Sequence, residues 1–161
     1  MDEITFRPIG VIRSSFKQAR GTPIQAGAAR NASATVEVYD AYLQGLEDLD
    51  GFSHIILLYH FHLTRGYSLK VVPYLDTLER GVFSTRAPRR PNRIGLAVVE
   101  LIRIENNIIY FRGNDMVDGT PVLDIKPYLP EFDHRVVTKK GWLEKKLKDL
   151  GDHTDDGRFL G

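Results

Sequence analysis

Apolar and polar residues alternate in short runs along most of the chain, the two-residue period of half-buried strands rather than the 3.6-residue period of helices. Runs rich in β-branched and aromatic residues predict strands over 6–12, 34–39, 52–63, 71–75, 82–85, 95–104, 108–112 and 121–125. One helix interrupts them: Asp40 is placed to cap it, Tyr42, Leu43, Leu46 and Leu49 follow at helical spacing, and Gly51 ends it. Asn106-Asn107 and Asp118-Gly119 fall where tight turns would join neighbouring strands into antiparallel hairpins. No regular crossover helix separates the strands, which argues against a doubly wound parallel sheet.

The predicted fold is therefore mainly β, an antiparallel β-barrel or sandwich with a short helix after the second strand. The period changes near the end, where Trp142, Leu143, Leu147 and Leu150 recur among lysines and predict a C-terminal amphipathic helix over 138–150. Its lysines read as the solvated face above a docked apolar stripe. Residues 1–135 form the barrel domain in this reading. Residues 136–161 add the helix and an acidic tail, Asp152, Asp155 and Asp156, with little fixed structure and no domain of its own.

Length and charge narrow the picture. At 161 residues the chain fits one domain with a real core, and its net charge of +1 means that a nucleic-acid partner would be held by a local basic patch. The absence of cysteine excludes disulfides, thiolate metal sites and cysteine nucleophiles. Met1-Asp2-Glu3-Ile4 has no targeting pattern, and the apolar run Ile55 to Tyr59 is too short to span a bilayer, so a soluble cytoplasmic protein is expected.

The basic patch is easy to find. From Arg80 to Arg93 there are five arginines and no acid, between prolines and glycines. Guanidinium forks suit paired contacts to carboxylate or phosphate, and proline stiffening holds them at small entropic cost. This is read as an anion-binding loop rather than as charge for solubility. Glycine fingerprints for phosphate are lacking, and Ser84 sits in no nucleophile elbow. His60 and His62 share a face, but two imidazoles without a third ligand do not make a metal site, and none is expected. Asp124 and Lys126, two apart, point to one face if the segment is extended, either as a neutralised wall pair or as functional groups.

The run Gly81-Val82-Phe83-Ser84-Thr85-Arg86, then Arg90-Pro91-Asn92-Arg93-Ile94-Gly95-Leu96, then Val117-Asp118-Gly119-Thr120-Pro121-Val122-Leu123-Asp124-Ile125-Lys126-Pro127-Tyr128 resembles the TsaA-like, or TrmO, family. Pro8-Ile9-Gly10-Val11-Ile12, Pro23-Ile24-Gln25 and Phe61-His62 support the likeness, which runs from about Phe6 to Asp133. The resemblance implies an S-adenosyl-L-methionine-dependent methyltransferase built as an antiparallel β-barrel homodimer. It would act on N6 of N6-threonylcarbamoyladenosine beside the tRNA anticodon, so tRNA, through its anticodon stem-loop, is the expected partner. Carried over by motif, Pro23, Ile24, Gln25, His62, Leu63, Arg86, Leu96, Asp124, Ile125, Lys126 and Pro127 would contact the donor. Arg89, Arg90 and Arg93 would contact RNA. Asp124, with Tyr128 and His62 behind it, is the expected base or base-orienter. A non-catalytic RNA-binding barrel, or a methyltransferase for another nucleobase or a small molecule, remains as an alternative.

Overall fold

The computed structural model describes residues 2–24, 29–148 and 153–160. Six strands close into an antiparallel barrel: β1 (Gly10–Arg13), β2 (Ser33–Val38), β3 (His54–His60), β6 (Ile94–Glu105), β7 (Ile108–Arg112) and β8 (Pro121–Pro127). Around the barrel they run β1-β2-β7-β6-β3-β8, with β8 closing on β1. A small ribbon, β4 (Lys70–Val71) with β5 (Arg80–Gly81), stands apart.

Alternation sets the interior. Ile55, Leu57 and Tyr59 of β3 face inward with Gly95, Ala97, Val99 and Leu101 of β6, Val36 and Val38 of β2, and Ile109 and Phe111 of β7. Large residues meet small ones across the β3–β6 ladder: Leu57 stands opposite Ala97, and Tyr59 opposite Gly95. That complementarity lets large side chains share the narrow interior with small ones. The Asn106-Asn107 turn forms as expected, Asn106 taking φ 54°, and joins β6 to β7.

Several expectations change in the structure. Asp118-Gly119 is a turn, but β7 and β8 are not neighbours; the turn stitches β8 to the end of β1, with the Gly119 amide donating to Ile12 O at 2.8 Å. Asp118 Oδ1 accepts the Ser14 amide at 2.9 Å, and that bond with the Lys17 ion pair keeps its carboxyl below the usual range. The expected strand 82–85 is a 3₁₀ turn, Val82–Ser84, because Ser84 Oγ donates to Gly81 O and Thr85 Oγ1 to Val82 O, offering the backbone an alternative to a ladder. The strand 71–75 stops at Val71, since Pro73 has no amide to give a neighbour. The helix after β2 is two 3₁₀ segments, Asp40–Leu46 and Leu49–Gly51, and Asp40 begins the first without capping it.

The C-terminal part departs most. Within 138–148 there is no continuous α-helix, only a 3₁₀ turn at Gly141–Leu143, a plain turn over 144–146 and 3₁₀ geometry again at 147–148, and Leu150 lies outside the described residues. Gly141 at φ 59° breaks helical winding, and the side chains are drawn into tertiary contacts instead. Trp142 Nε1 donates to Ser84 O at 2.8 Å, and Lys146 pairs with Asp76. The acidic tail is not loose where it is described: Phe159 is buried with Val71, Val82 and Ala87 in a second small core. Asp152 lies outside the described residues.

Candidate functional site

β3 ends, β6 begins and β8 is launched at the same end of the barrel, and a cavity of about 300 Å³ opens there. Its floor is Tyr59, Gly95 and Met116; Phe61 meets Tyr59 edge-on, with ring centres 5.3 Å apart. The buried Asn114 shapes the segment beneath it. Its amide donates to Ser14 Oγ at 2.8 Å and to Met116 O at 3.0 Å, while its oxygen accepts the Met116 amide at 3.1 Å. These bonds present Asp115 and Met116 to the cavity.

Charge converges on Tyr59. Burial, then the Asp115 carboxylate, push its pKa well up, and the Arg86 guanidinium opposes them. The phenol therefore stays protonated at neutral pH, a hydrogen-bond donor between an anion and a cation. Burial, then the neighbouring His60, lower the pKa of the half-buried His62, which leaves a neutral imidazole on the cavity wall able to accept a proton.

Of the residues expected at a donor site, Pro23, Ile24, His62, Leu63, Arg86 and Leu96 line this cavity together. They come from the loop before β2, the end of β3, the arginine loop and β6. Gln25 lies outside the described residues. Asp124, Ile125, Lys126 and Pro127 do not line the cavity. Asp124 and Lys126 form a 2.7 Å ion pair on the outer barrel wall, while Ile125 packs on the core. Tyr128 sits edge-on to His54 at 6.3 Å, beyond the end of β8 and outside the cavity lining.

The arginine loop is rigid, and its guanidinium groups are divided. Arg90 both lines the cavity and donates Nη1 to the carbonyls of Thr85 at 2.8 Å and Val82 at 3.2 Å, so it braces the loop. Arg93, at φ 48°, donates Nη1 to Thr64 O at 2.6 Å and ties the loop to the segment after β3. Arg89 accepts the Ser68 amide through its carbonyl at 3.2 Å. Arg80 is held by Asp76, with Nη2 to Oδ2 at 2.7 Å. Sequence reasoning missed Asp115, Met116, Thr120 and Asp155 on the cavity wall. The first three precede or begin the strand whose far end attracted attention, and only the barrel's closure turns them inward. Among the described residues no group of three His, Cys, Asp or Glu is placed to hold a metal ion, and no helix is long and apolar enough to cross a membrane.

A closed antiparallel barrel with a cavity at one end, lined by apolar side chains and by charges of both signs, forms a concave site of the kind that suits a small polar ligand. The family model of the tRNA-methyltransferase O N-terminal domain matches residues 11–134. The chain belongs to that family. A protein of Pyrococcus abyssi is 52% identical over 157 residues, which are 98% of this chain and 85% of that one. The Escherichia coli K12 protein named tRNA (adenine(37)-N6)-methyltransferase is 39% identical over 140 residues, 81% of this chain and 60% of the relative. A crystal structure of TrmO from Pseudomonas aeruginosa superposes with a TM-score of 0.72 at 38% identity, covering 88% of this chain and 63% of that one. The chain thus spans most of its archaeal relative but less than two thirds of these two bacterial proteins.

Proposed function

We propose that the chain transfers a methyl group from S-adenosyl-L-methionine to N6 of N6-threonylcarbamoyladenosine at position 37 of tRNA. The observation that carries this reading is the gathering of Pro23, Ile24, His62, Leu63, Arg86 and Leu96, from separate parts of the sequence, around one cavity. Support for the donor also comes from an Archaeoglobus fulgidus relative, 45% identical over 79% of this chain, which is named an S-adenosyl-L-methionine-binding protein. The cavity's lining fits such a donor: Arg86 on the rim suits its carboxylate, and Ile94, Leu96, Phe61 and Met116 suit an adenosyl group.

The donor supplies an electrophilic methyl on a sulfonium; the protein's part is placement. Orientation of donor and acceptor nitrogen alone supplies roughly 7–11 kcal/mol of such a barrier. The carbamoyl group on N6 makes that nitrogen a poor nucleophile with an acidic N–H, so a base that takes the proton helps. Among the three acid–base groups expected from the sequence, His62 stands at the cavity, neutral and half-buried, and is the proposed base. Tyr59 stays protonated and orients the acceptor as a donor.

The homodimer is proposed on the outer face of β3 and β6. Ile56, Leu58, Leu96 and Val98 form a contiguous apolar stripe there, paired Ile56–Val98 and Leu58–Leu96, and Asp124 and Lys126 flank it opposite Leu58 and Ile56. Leu96 belongs to both stripe and cavity, so a dimer on this face would set the Asp124–Lys126 edge beside a cavity mouth, where their expected roles would act. Arg89 and the solvent side of the arginine loop are the proposed RNA contacts, placed around the same mouth.

The test is methylation of threonylcarbamoylated and of unmodified anticodon stem-loops, read by nucleoside mass spectrometry. Methyl is expected on the threonylcarbamoylated adenosine alone, and His62→Asn is expected to lower kcat with donor affinity kept. Donor binding with no methylated nucleoside would refute the substrate assignment.

A further inference from the structure

Residues 153–160 fold back onto the loop that precedes β2. Thr154 bridges Pro23 in antiparallel register, the Asp155 amide donates to Thr22 O at 2.7 Å, and the Gly21 amide donates to Asp155 O at 2.6 Å. The far end is anchored separately. Phe159 is 5% exposed and meets Tyr74 edge-on at 5.1 Å, while Arg158 pairs with Asp156 at 2.6 Å and donates to Pro73 O at 2.9 Å. Held at both ends, the strap fastens the Pro23–Ile24 wall to the small core under the arginine loop, since Val82 and Ala87, which pack with Phe159, lie on either side of Arg86.

Asp155, Phe159 and Leu160 line the cavity. Phe159 is explained by packing; the half-buried Asp155 carboxylate on the same wall stands beside the Tyr74 hydroxyl, whose pKa burial and then Asp155 push up. Asp155 Oδ1 accepts the Gly157 amide at 2.6 Å, in a turn where Gly157 takes φ 87°, so the carboxylate's direction is fixed by its own loop. A cavity with a guanidinium on its rim and carboxylates from Asp115 and Asp155 on its walls suits a ligand that carries an anion together with hydroxyl or cationic donors.

We propose that the 153–160 strap is a wall of the donor site and that Asp155 is a ligand-binding carboxylate, accepting hydrogen bonds from the ribose hydroxyls or the ammonium group of the donor. This rests on the donor reading of the cavity. It gives a role in binding to a segment that lies beyond the 11–134 match to the family model.

Asp155→Asn in the full chain tests it, because asparagine keeps an oxygen for the Gly157 amide and removes the charge. In calorimetric titrations the variant is expected to bind S-adenosyl-L-methionine about tenfold more weakly than wild type, as loss of one charge-assisted bond implies. Adenosine, which carries the hydroxyls but no ammonium, separates the two sources: its affinity falls in parallel if Asp155 holds the ribose and is unchanged if it holds the ammonium. Hydrogen exchange of wild-type 153–160 is expected to slow several-fold when the donor is added. Wild-type affinity in the variant, or no added protection of the strap, would overturn the proposal while leaving the donor reading intact. A wild-type chain that does not bind the donor at all would overturn both.

Discussion

Gly95 is where the barrel core and the cavity meet, and replacing it by alanine probes both. It faces Tyr59 across the β3–β6 ladder, and a Cβ there would stand 2.9 Å from Tyr59 Cδ2, with Cε2 and Cζ nearer still. The ring cannot yield cheaply: it is 6% exposed and packed edge-on against Phe61. Gly95 is not at positive φ, so backbone strain plays no part and the whole cost is overpacking, about 1–3 kcal/mol. For a domain of this size each kcal/mol lowers Tm by about 2–4 °C, which calorimetry resolves easily. Because the displaced ring must move toward the space it lines, donor affinity is expected to fall with stability. A double-mutant cycle isolates the cause: in a Tyr59→Ala background, Gly95→Ala should cost close to nothing, giving an interaction energy of about 1–3 kcal/mol. An unchanged Tm for Gly95→Ala, or equal cost in both backgrounds, would refute the reasoning.

Asn114→Ala removes three hydrogen bonds from a fully buried side chain, strands the Met116 amide and leaves Ser14 Oγ with the Phe16 amide but without Asn114, so a loss of about 1–3 kcal/mol is expected in denaturant unfolding, together with weaker ligand binding. Lys146, with Arg80 and the Thr77 amide behind it, holds the Asp76 carboxyl far below its usual range against the opposing effect of burial. A depressed folded-state pKa contributes stability above the unfolded value of about 3.9 that is lost as pH falls below it. Asp76→Asn should thus lower the urea midpoint at pH 7 and flatten its decline below about pH 4; an acid limb as steep as wild type would contradict this. Val98→Glu places a charge in the middle of the proposed dimer stripe on an exposed position, so sedimentation should show wild-type dimers and variant monomers with Tm nearly unchanged. A monomeric wild type would remove that interface.

The barrel was legible because its strands carry local signals: alternation in 95–104 and 108–112, and an Asn-Asn turn that tolerates positive φ. Closure was not, because pairing β8 with β1 and β3 depends on long-range contacts that no local pattern encodes. The arginine loop announced itself by composition. What its arginines do was hidden, since Arg90 and Arg93 bond to carbonyls near and far in the chain. Asp124 and Lys126 stood out for their motif but fall on the outer wall by the parity of β8, while Asp115 and Asp155 carry no local signature. The C-terminal segment misled through spacing: Trp142 and Leu147 match a helix, but Gly141 and the bond from Trp142 to the arginine loop set its course. Periodicity records which residues avoid water, not which partner they meet.

The account rests on the cavity being a methyl-donor site held by Arg86, and calorimetric titration of S-adenosyl-L-methionine into wild-type protein and Arg86→Ala tests that most directly. Saturable binding of one donor per chain is expected for wild type, weakened tenfold or more in the variant as the loss of a charge-assisted contact implies. No binding by wild type, or equal affinity in the two proteins, would contradict it.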